Sequence, residues 1–284
     1  MAWRPSAALA ILTAMSEQIA VGRGNARLLG ERWPGPGPVT VLLHAGVADS
    51  RSWQEVVPGL AGRATVVTYD RRGFGRSAPS PGPFTHLDDL IAVLDQAGAD
   101  QAWLVGSSAG GGIALDAALT APERVAGLVL LAPAVSGAPD PDLDPVTQRL
   151  ADMIDQAAQA GDLAEVNRLE TWIWLDGPAA PEGRVNGPAR SLALDMNAIC
   201  LRNGVPEGAG NAGLDAWAAL ADIDVPALVC CGGRDLPALI SRGQELAGRL
   251  PRGGYTELAG LAHLPYLEQP ATVAGLIAGA LPAR

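Results

Sequence analysis

The chain has 284 residues, 48% hydrophobic and 18% charged, a globular balance whose length suits one large α/β domain or a core domain carrying an insertion. Its formal net charge of −10 and pI near 4.7 exclude a nucleic-acid surface, which needs clustered positive charge. Every basic side chain is arginine, so Schiff-base chemistry and a phosphate-loop lysine are both excluded, and no apolar run approaches the ~20 residues of a membrane span.

In chain order, Met1 to Ala14 is a mildly apolar stretch behind Arg4, like a weak signal peptide without a convincing cleavage site. Met15-Ser16-Glu17-Gln18 serves equally well as a beginning, and a soluble cytoplasmic chain is expected. Val39 to Leu43 reads as a strand buried on both faces, as do Ala64 to Tyr69, Ala102 to Val105, Gly127 to Leu131 and Ala227 to Cys231. Helical patterns alternate with them: Leu87, Leu90, Ile91 and Leu94 share one stripe, and Ile113, Ala117 and Ala118 another. The fold class expected is α/β, a doubly wound and mostly parallel sheet covered on both sides.

That alternation breaks between about 134 and 216. Leu143 to Trp174 reads as helices, with Leu150, Met153 and Ile154 on one stripe and Leu163, Val166 and Leu169 on another. A Gly/Pro-rich stretch from Gly177 to Pro188 precedes a short helical pattern, Ala189 to Leu201, and no strand signal appears in the span. The chain therefore divides into a core of residues 1–133 and 217–284 and an inserted helical lid of residues 134–216. Cys200, Cys230 and Cys231 make no disulfide framework, and the last two suit a buried strand. His44, His86 and His263 lack metal-type spacing, so neither a metal nor a cofactor is expected.

Gly106-Ser107-Ser108-Ala109-Gly110 follows a predicted strand and opens a predicted helix. A Gly-x-Ser-x-Gly turn is so tight that its flanks must be small, which pushes the serine hydroxyl out above the sheet. In so Gly-rich a chain about one sequence in six would hold such a match by chance, and the strand-turn-helix setting is what raises it above chance. A serine hydroxyl attacks only when a base takes its proton and an acid orients that base. On such a scaffold the chain order is serine, acid, histidine, and only His263 lies downstream of Ser108. Asp235, after the strand Ala227 to Cys231 and a short turn, is the preferred acid; its alternative role is N-cap of the Leu236-Pro237 segment. Two backbone N–H groups must hold the oxyanion: one from Ala109, the other from Gly46, with Val47 as alternate. His44 is read as orienting that loop, and His86 as a surface residue or helix cap.

With these residues in view, the chain resembles the α/β-hydrolase superfamily, in its serine-nucleophile branch with a helical cap. The likeness runs from Val39 to the C-terminus and includes Tyr69-Asp70-Arg71-Arg72-Gly73-Phe74-Gly75-Arg76-Ser77 and Leu267-Glu268-Gln269-Pro270. His44-Ala45 stands where the family's oxyanion loop has His-Gly. The aspartate nucleophile of haloalkane dehalogenases and epoxide hydrolases is replaced by Ser108, and the Gly-rich oxyanion loops of two other branches are absent. The resemblance implies a hydrolase that cleaves a carboxylic ester, lactone or thioester through an acyl-enzyme. Met153, Trp172, Trp174 and Trp217 are candidate walls of a pocket for a small apolar or aromatic acyl substrate, or else plain lid packing. Two other functions remain open at this point: a biosynthetic tailoring enzyme using the pocket for C–C cleavage, cyclisation or non-hydrolytic chemistry, and a non-catalytic ligand-binding protein. Substrate identity and oligomeric state are not written in these motifs.

Overall fold

Aliphatic runs that bury both faces need a layer on each side, and the computed structural model supplies them. It describes residues 16–24, 26–80, 82–204, 209–210 and 213–283. The strands among these are β1 (Glu17–Arg23), β2 (Ala26–Trp33), β3 (Val39–Leu43), β4 (Thr65–Tyr69), β5 (Phe84–Thr85), β6 (Ala102–Ser107), β7 (Val125–Leu131), β8 (Ala209–Gly210), β9 (Ala227–Gly232) and β10 (Gly253–Leu258). Eight form one sheet in the order β1-β2-β4-β3-β6-β7-β9-β10. Every pair from β4 to β10 is parallel, whereas β1–β2 and β2–β4 are antiparallel.

The helices are α1 (Val57–Leu60), α2 (His86–Gln96), α3 (Ala109–Thr120), α4 (Pro145–Gln159), α5 (Leu163–Thr171), α6 (Pro188–Asn203), α7 (Pro237–Arg249), α8 (Pro265–Glu268) and α9 (Pro270–Ala280). Alternation along each strand sends successive side chains to opposite layers. Val41, Leu43, Leu128 and Leu130 pack with Leu90, Ile113 and Leu246 of α2, α3 and α7. Leu42, Val129 and Leu131 pack instead with Val57, Leu60, Val273 and Ile277 of α1 and α9. This is the doubly wound sheet expected from the buried runs.

Between β7 and β9 the chain runs through α4, α5, a π-helical turn at Trp172–Asp176, and α6. Asp144 caps α4 by accepting the Val146 and Thr147 N–H groups, and Asp162 caps α5 through Glu165 N–H. Leu150, Val166, Leu169 and Ile173 form a cluster of their own with Leu236, while Leu192 and Met196 of α6 join the main core. The predicted stripes shift slightly, since Met153 is 40% and Leu163 45% exposed. A strand also appears in this span: β8 pairs with β5.

The β1–β2 hairpin is the largest element absent from the sequence reading. Ile19 and Val21 are the inward residues of β1, a two-residue signal on a mostly exposed edge strand. The apolar stretch before it, read above as a weak leader, lies outside the described residues. Among the described residues no helix is long and apolar enough to cross a membrane.

The segment after β4 is a structural clamp. Asp70 accepts the N–H groups of Ser50 (2.8 Å) and Arg76 (2.9 Å), and Ser77 Oγ accepts that of Leu29 (2.9 Å). Arg72 makes a bidentate pair with Asp89, at 2.7 Å on both oxygens, and its guanidinium lies 4.2 Å above the Phe84 ring. His86 is not the cap expected of it. Thr85 caps α2 by accepting Asp88 N–H, and the half-buried His86 faces the Arg71 and Arg72 guanidiniums. Burial, with repulsion from these two cations, lowers its pKa to about 3.

Replacing Arg72 by Met leaves the Asp89 carboxylate buried without its cation and is expected to cost about 3–5 kcal/mol in urea unfolding; a loss under 1 kcal/mol contradicts the clamp. His86 has a second consequence. Between pH 6.5 and about 3 the unfolded chain binds a proton at this position that the folded chain does not, so its contribution destabilises the fold as pH falls. The stability difference between wild type and His86→Asn should therefore move against the wild type from pH 7.5 to 5, by at most about 1.4 kcal/mol per pH unit. A pH-independent difference would show that His86 is solvated.

Candidate active site

The site starts with the turn between β6 and α3. A Cβ on Gly106 would strike the backbone of Gly110 and Gly111, and one on Gly110 would strike the carbonyls of Leu43 and His44. Glycine at both places lets α3 press against the carboxyl ends of β3 and β6. Ser108 between them adopts φ 48°, ψ −116°, a conformation that costs a non-glycine residue about 1–3 kcal/mol. Four backbone hydrogen bonds hold it there. Its N–H donates to Leu131 O (2.9 Å), and its carbonyl accepts from Gly111 (2.9 Å), Gly112 (3.1 Å) and Ala134 (2.9 Å).

His263 lies in the loop between β10 and α8, and Asp235 just beyond β9. Their side chains meet: Nδ1 of His263 is 2.8 Å from Oδ2 of Asp235, and both residues are 3% exposed. An ionised carboxylate can only accept, so Nδ1 carries the hydrogen and Nε2 of the neutral ring is left as a base. The second oxygen of Asp235 accepts Leu236 N–H at 2.8 Å. The cap alternative fails, because Leu236 occupies the N-cap of α7 and Asp235 turns its carboxylate to the histidine. Ser108 and Asp235 follow strands separated only by β7, about 10 Å at the usual strand spacing. The His263 loop reaches back over the same edge: three residues on, the buried Tyr266 hydroxyl faces the side chains of Ser107 and Ser52.

That loop is also held from the segment between β7 and β9. Glu268 accepts Ala262 N–H (2.6 Å) and pairs with Arg184 (2.6 Å), which in turn donates to the carbonyls of Leu175 and Asp176. The fully buried Asp176 carboxylate accepts from Gly183 and Val185 N–H and pairs with Arg190 at 2.6 Å. Sequence reading quoted Glu268 for its motif but missed Arg184, which sits in the Gly/Pro-rich stretch, and Asp176, which ends the π-helical turn just before it; no periodicity marks either.

The loop after β3 is fixed by His44. Arg71 N–H donates to His44 Nε2 (3.1 Å), so the ring's hydrogen is on Nδ1, which faces Ala45 O at 2.8 Å. Burial first, then repulsion from Arg71, keeps the imidazole neutral well below its ordinary range. The ring therefore orients the loop, as expected of it. Gly46 follows, with a Cβ position 3.9 Å from the Ala109 Cβ, so this loop borders the first turn of α3. The N–H groups of Gly46 and Val47 have no protein acceptor among the described residues.

Of the four candidate pocket residues, Trp174 alone is packed on the histidine, its ring 4.6 Å from that of His263. Trp172 donates its indole N–H to Ala180 O (2.8 Å) and packs within the insertion. Met153 is exposed on α4. Trp217 packs on the core under the Arg249 guanidinium, 4.5 Å from its ring, and is not brought to the site. No group of metal-ligating side chains occurs among the described residues.

Comparison with known proteins agrees with the architecture. A sequence profile of the alpha/beta hydrolase family matches residues 40–276. The putative carbamate hydrolase RutD of Caulobacter segnis is 33% identical over 249 residues, covering 81% of this chain and 86% of that protein. Epoxide hydrolase B of Mycobacterium tuberculosis is 38% identical over 99 residues, 33% of this chain and 28% of that protein. Among solved structures, a hydrolase from Pseudomonas aeruginosa superposes with TM-score 0.73 and 25% identity, covering 94% of this chain and 98% of that one. The carboxylesterase CesB of Bacillus subtilis shares the fold, with TM-score 0.70 at 22% identity over 95% of this chain and 93% of that one. The chain belongs to the alpha/beta hydrolase family and is a hydrolase.

Proposed function

We propose that the chain is a serine hydrolase that cleaves a carbonyl substrate through an acyl-enzyme. The observation that carries this reading is the 2.8 Å bond between the buried Asp235 and His263, at the same sheet edge as the strained turn of Ser108. Ser108 Oγ attacks the carbonyl carbon while His263 Nε2 takes its proton. The oxyanion is held by the N–H groups of Ala109 and Gly46, with Val47 as the alternate donor. His263 then gives the proton to the leaving oxygen, sulfur or nitrogen as that bond breaks. Water deprotonated by the same nitrogen attacks the acyl-enzyme and restores Ser108. The Asp235 carboxylate orients the ring and stabilises the imidazolium.

Carboxylic esters, lactones and thioesters all fit this sequence of steps, and the relative named a putative carbamate hydrolase adds carbamates. Residues 134–216 act as a cap over the site, and Trp174 supplies an apolar wall beside His263. A fluorophosphonate is expected to label Ser108 alone. Ser108→Ala should abolish labelling and lower kcat on p-nitrophenyl butyrate by at least ~10⁴-fold with the fold intact by circular dichroism. Asp235→Asn, which frees His263 to take the wrong tautomer, should cost roughly 10⁴-fold. Labelling at another residue, or full turnover by Ser108→Ala, refutes the assignment.

A further inference from the structure

The loop with Gly46 and Val47 forms one wall of a cleft of about 360 Å³, whose other walls include Arg71, Phe74, His86 and Asn197. Arg71 is unusual there. It is 3% exposed, yet among the described residues no carboxylate pairs with it, whereas its neighbour Arg72 is paired with Asp89. A buried guanidinium is costly unless paired and fully hydrogen-bonded. Arg71 has only partial compensation: Nη2 donates to Ala45 O (3.0 Å), and the group lies 4.3 Å above the Phe74 ring. Its buried Nε has no acceptor among the described residues.

The acids that influence it are the phenols of Tyr69 and Tyr266 and the Cys200 thiol, none of them a carboxylate. Burial raises all three, Cys200 to about 12, so each is neutral at pH 7. His86, which also lines the cleft, has a buried Nδ1 without a partner among the described residues. Glu170, the acid lining the cleft, accepts from Asn197 Nδ2 at 2.7 Å, and burial shifts it toward its neutral form.

We infer that this cleft is a carboxylate-binding subsite, in which Arg71 and His86 hold a carboxylate on the acyl part of the substrate. The inference rests on the hydrolase reading above and narrows it to esters, thioesters or carbamates whose acyl chain ends in a carboxylate. It departs from the apolar substrate expected from the tryptophans in one respect: the far end of the acyl chain is charged. A guanidinium suits this task, because its planar fork matches a carboxylate and it never loses its charge at working pH.

The test compares p-nitrophenyl hydrogen succinate, glutarate and adipate with the uncharged butyrate, pentanoate and hexanoate esters. Wild type should favour at least one carboxylate ester in kcat/KM over its uncharged match. Arg71→Met should lower kcat/KM for that ester by about 100-fold, the size of a charge-assisted hydrogen bond, with less than a fivefold change for the uncharged partner. Arg71→Lys should restore part of the loss. Equal losses on both esters would make Arg71 a prop for the oxyanion loop and overturn the subsite, as would a wild type preferring every uncharged ester by more than tenfold. Should Arg71→Met fail to fold, the wild-type preference still decides.

A binding measurement separates the subsite from the chemistry. Calorimetric titration of Ser108→Ala with monomethyl glutarate should show binding that the matched dimethyl ester lacks, and that His86→Asn weakens. Binding without turnover by the wild type would break the hydrolase reading and keep the subsite. Turnover without a carboxylate preference or binding would do the reverse.

Discussion

The turn at Ser108 is where the fold and the chemistry depend on one steric fact: Gly106 and Gly110 leave no space for a Cβ against the backbone of β3 and of α3 itself. That contact lets the helix start directly on the sheet edge and forces Ser108 to φ 48°. Strain of about 1–3 kcal/mol is tolerable because β7, the loop after it and the first turn of α3 supply the hydrogen bonds that hold the residue in place. The same closeness sets the β3 loop beside the first turn of α3, so two sets of backbone N–H groups border one spot. A larger residue at either glycine would separate them.

Around this turn, positioning is electrostatic. With arginine as its sole strong cation, the chain relies on bidentate and carbonyl-capping guanidinium contacts. Arg72 with Asp89 locks the clamp after β4, while Arg190, Asp176, Arg184 and Glu268 form a chain from the π-helical turn of the insertion to the His263 loop. The segment between β7 and β9 is thereby tied to the loop that carries His263. Arg71 breaks the pattern. It is buried like Arg72 but pairs with no carboxylate among the described residues, and that contrast is the ground for the proposed ligand subsite.

Much of the fold could be read because its strands are continuous aliphatic runs, buried on both faces, and such runs are difficult to mistake. Ser108 and His263 stand out in the sequence through local motif and chain order, and Asp235 as far as its strand end, so the proposed site could be named before its geometry was known. The choice between cap and acid needed the geometry of Leu236 and His263. What stayed hidden depends on contacts remote in sequence. The β1–β2 hairpin buries only Ile19 and Val21 from its edge strand, too brief an alternation to register. Met153 and Trp217 looked like pocket residues because composition shows an apolar side chain but not which way its helix or loop faces. Arg71 and His86 read as motif filler and surface, since no local pattern announces a buried charge without a partner.

In the proposed mechanism Ser108 and His263 act as one device, and a double-mutant cycle measures that coupling. Ser108→Ala, His263→Ala and the double variant should show nearly the same kcat on p-nitrophenyl butyrate, because removing either group removes the whole nucleophilic route. Losses that multiply in the double variant would mean that the two residues work independently, and that the device described here does not exist.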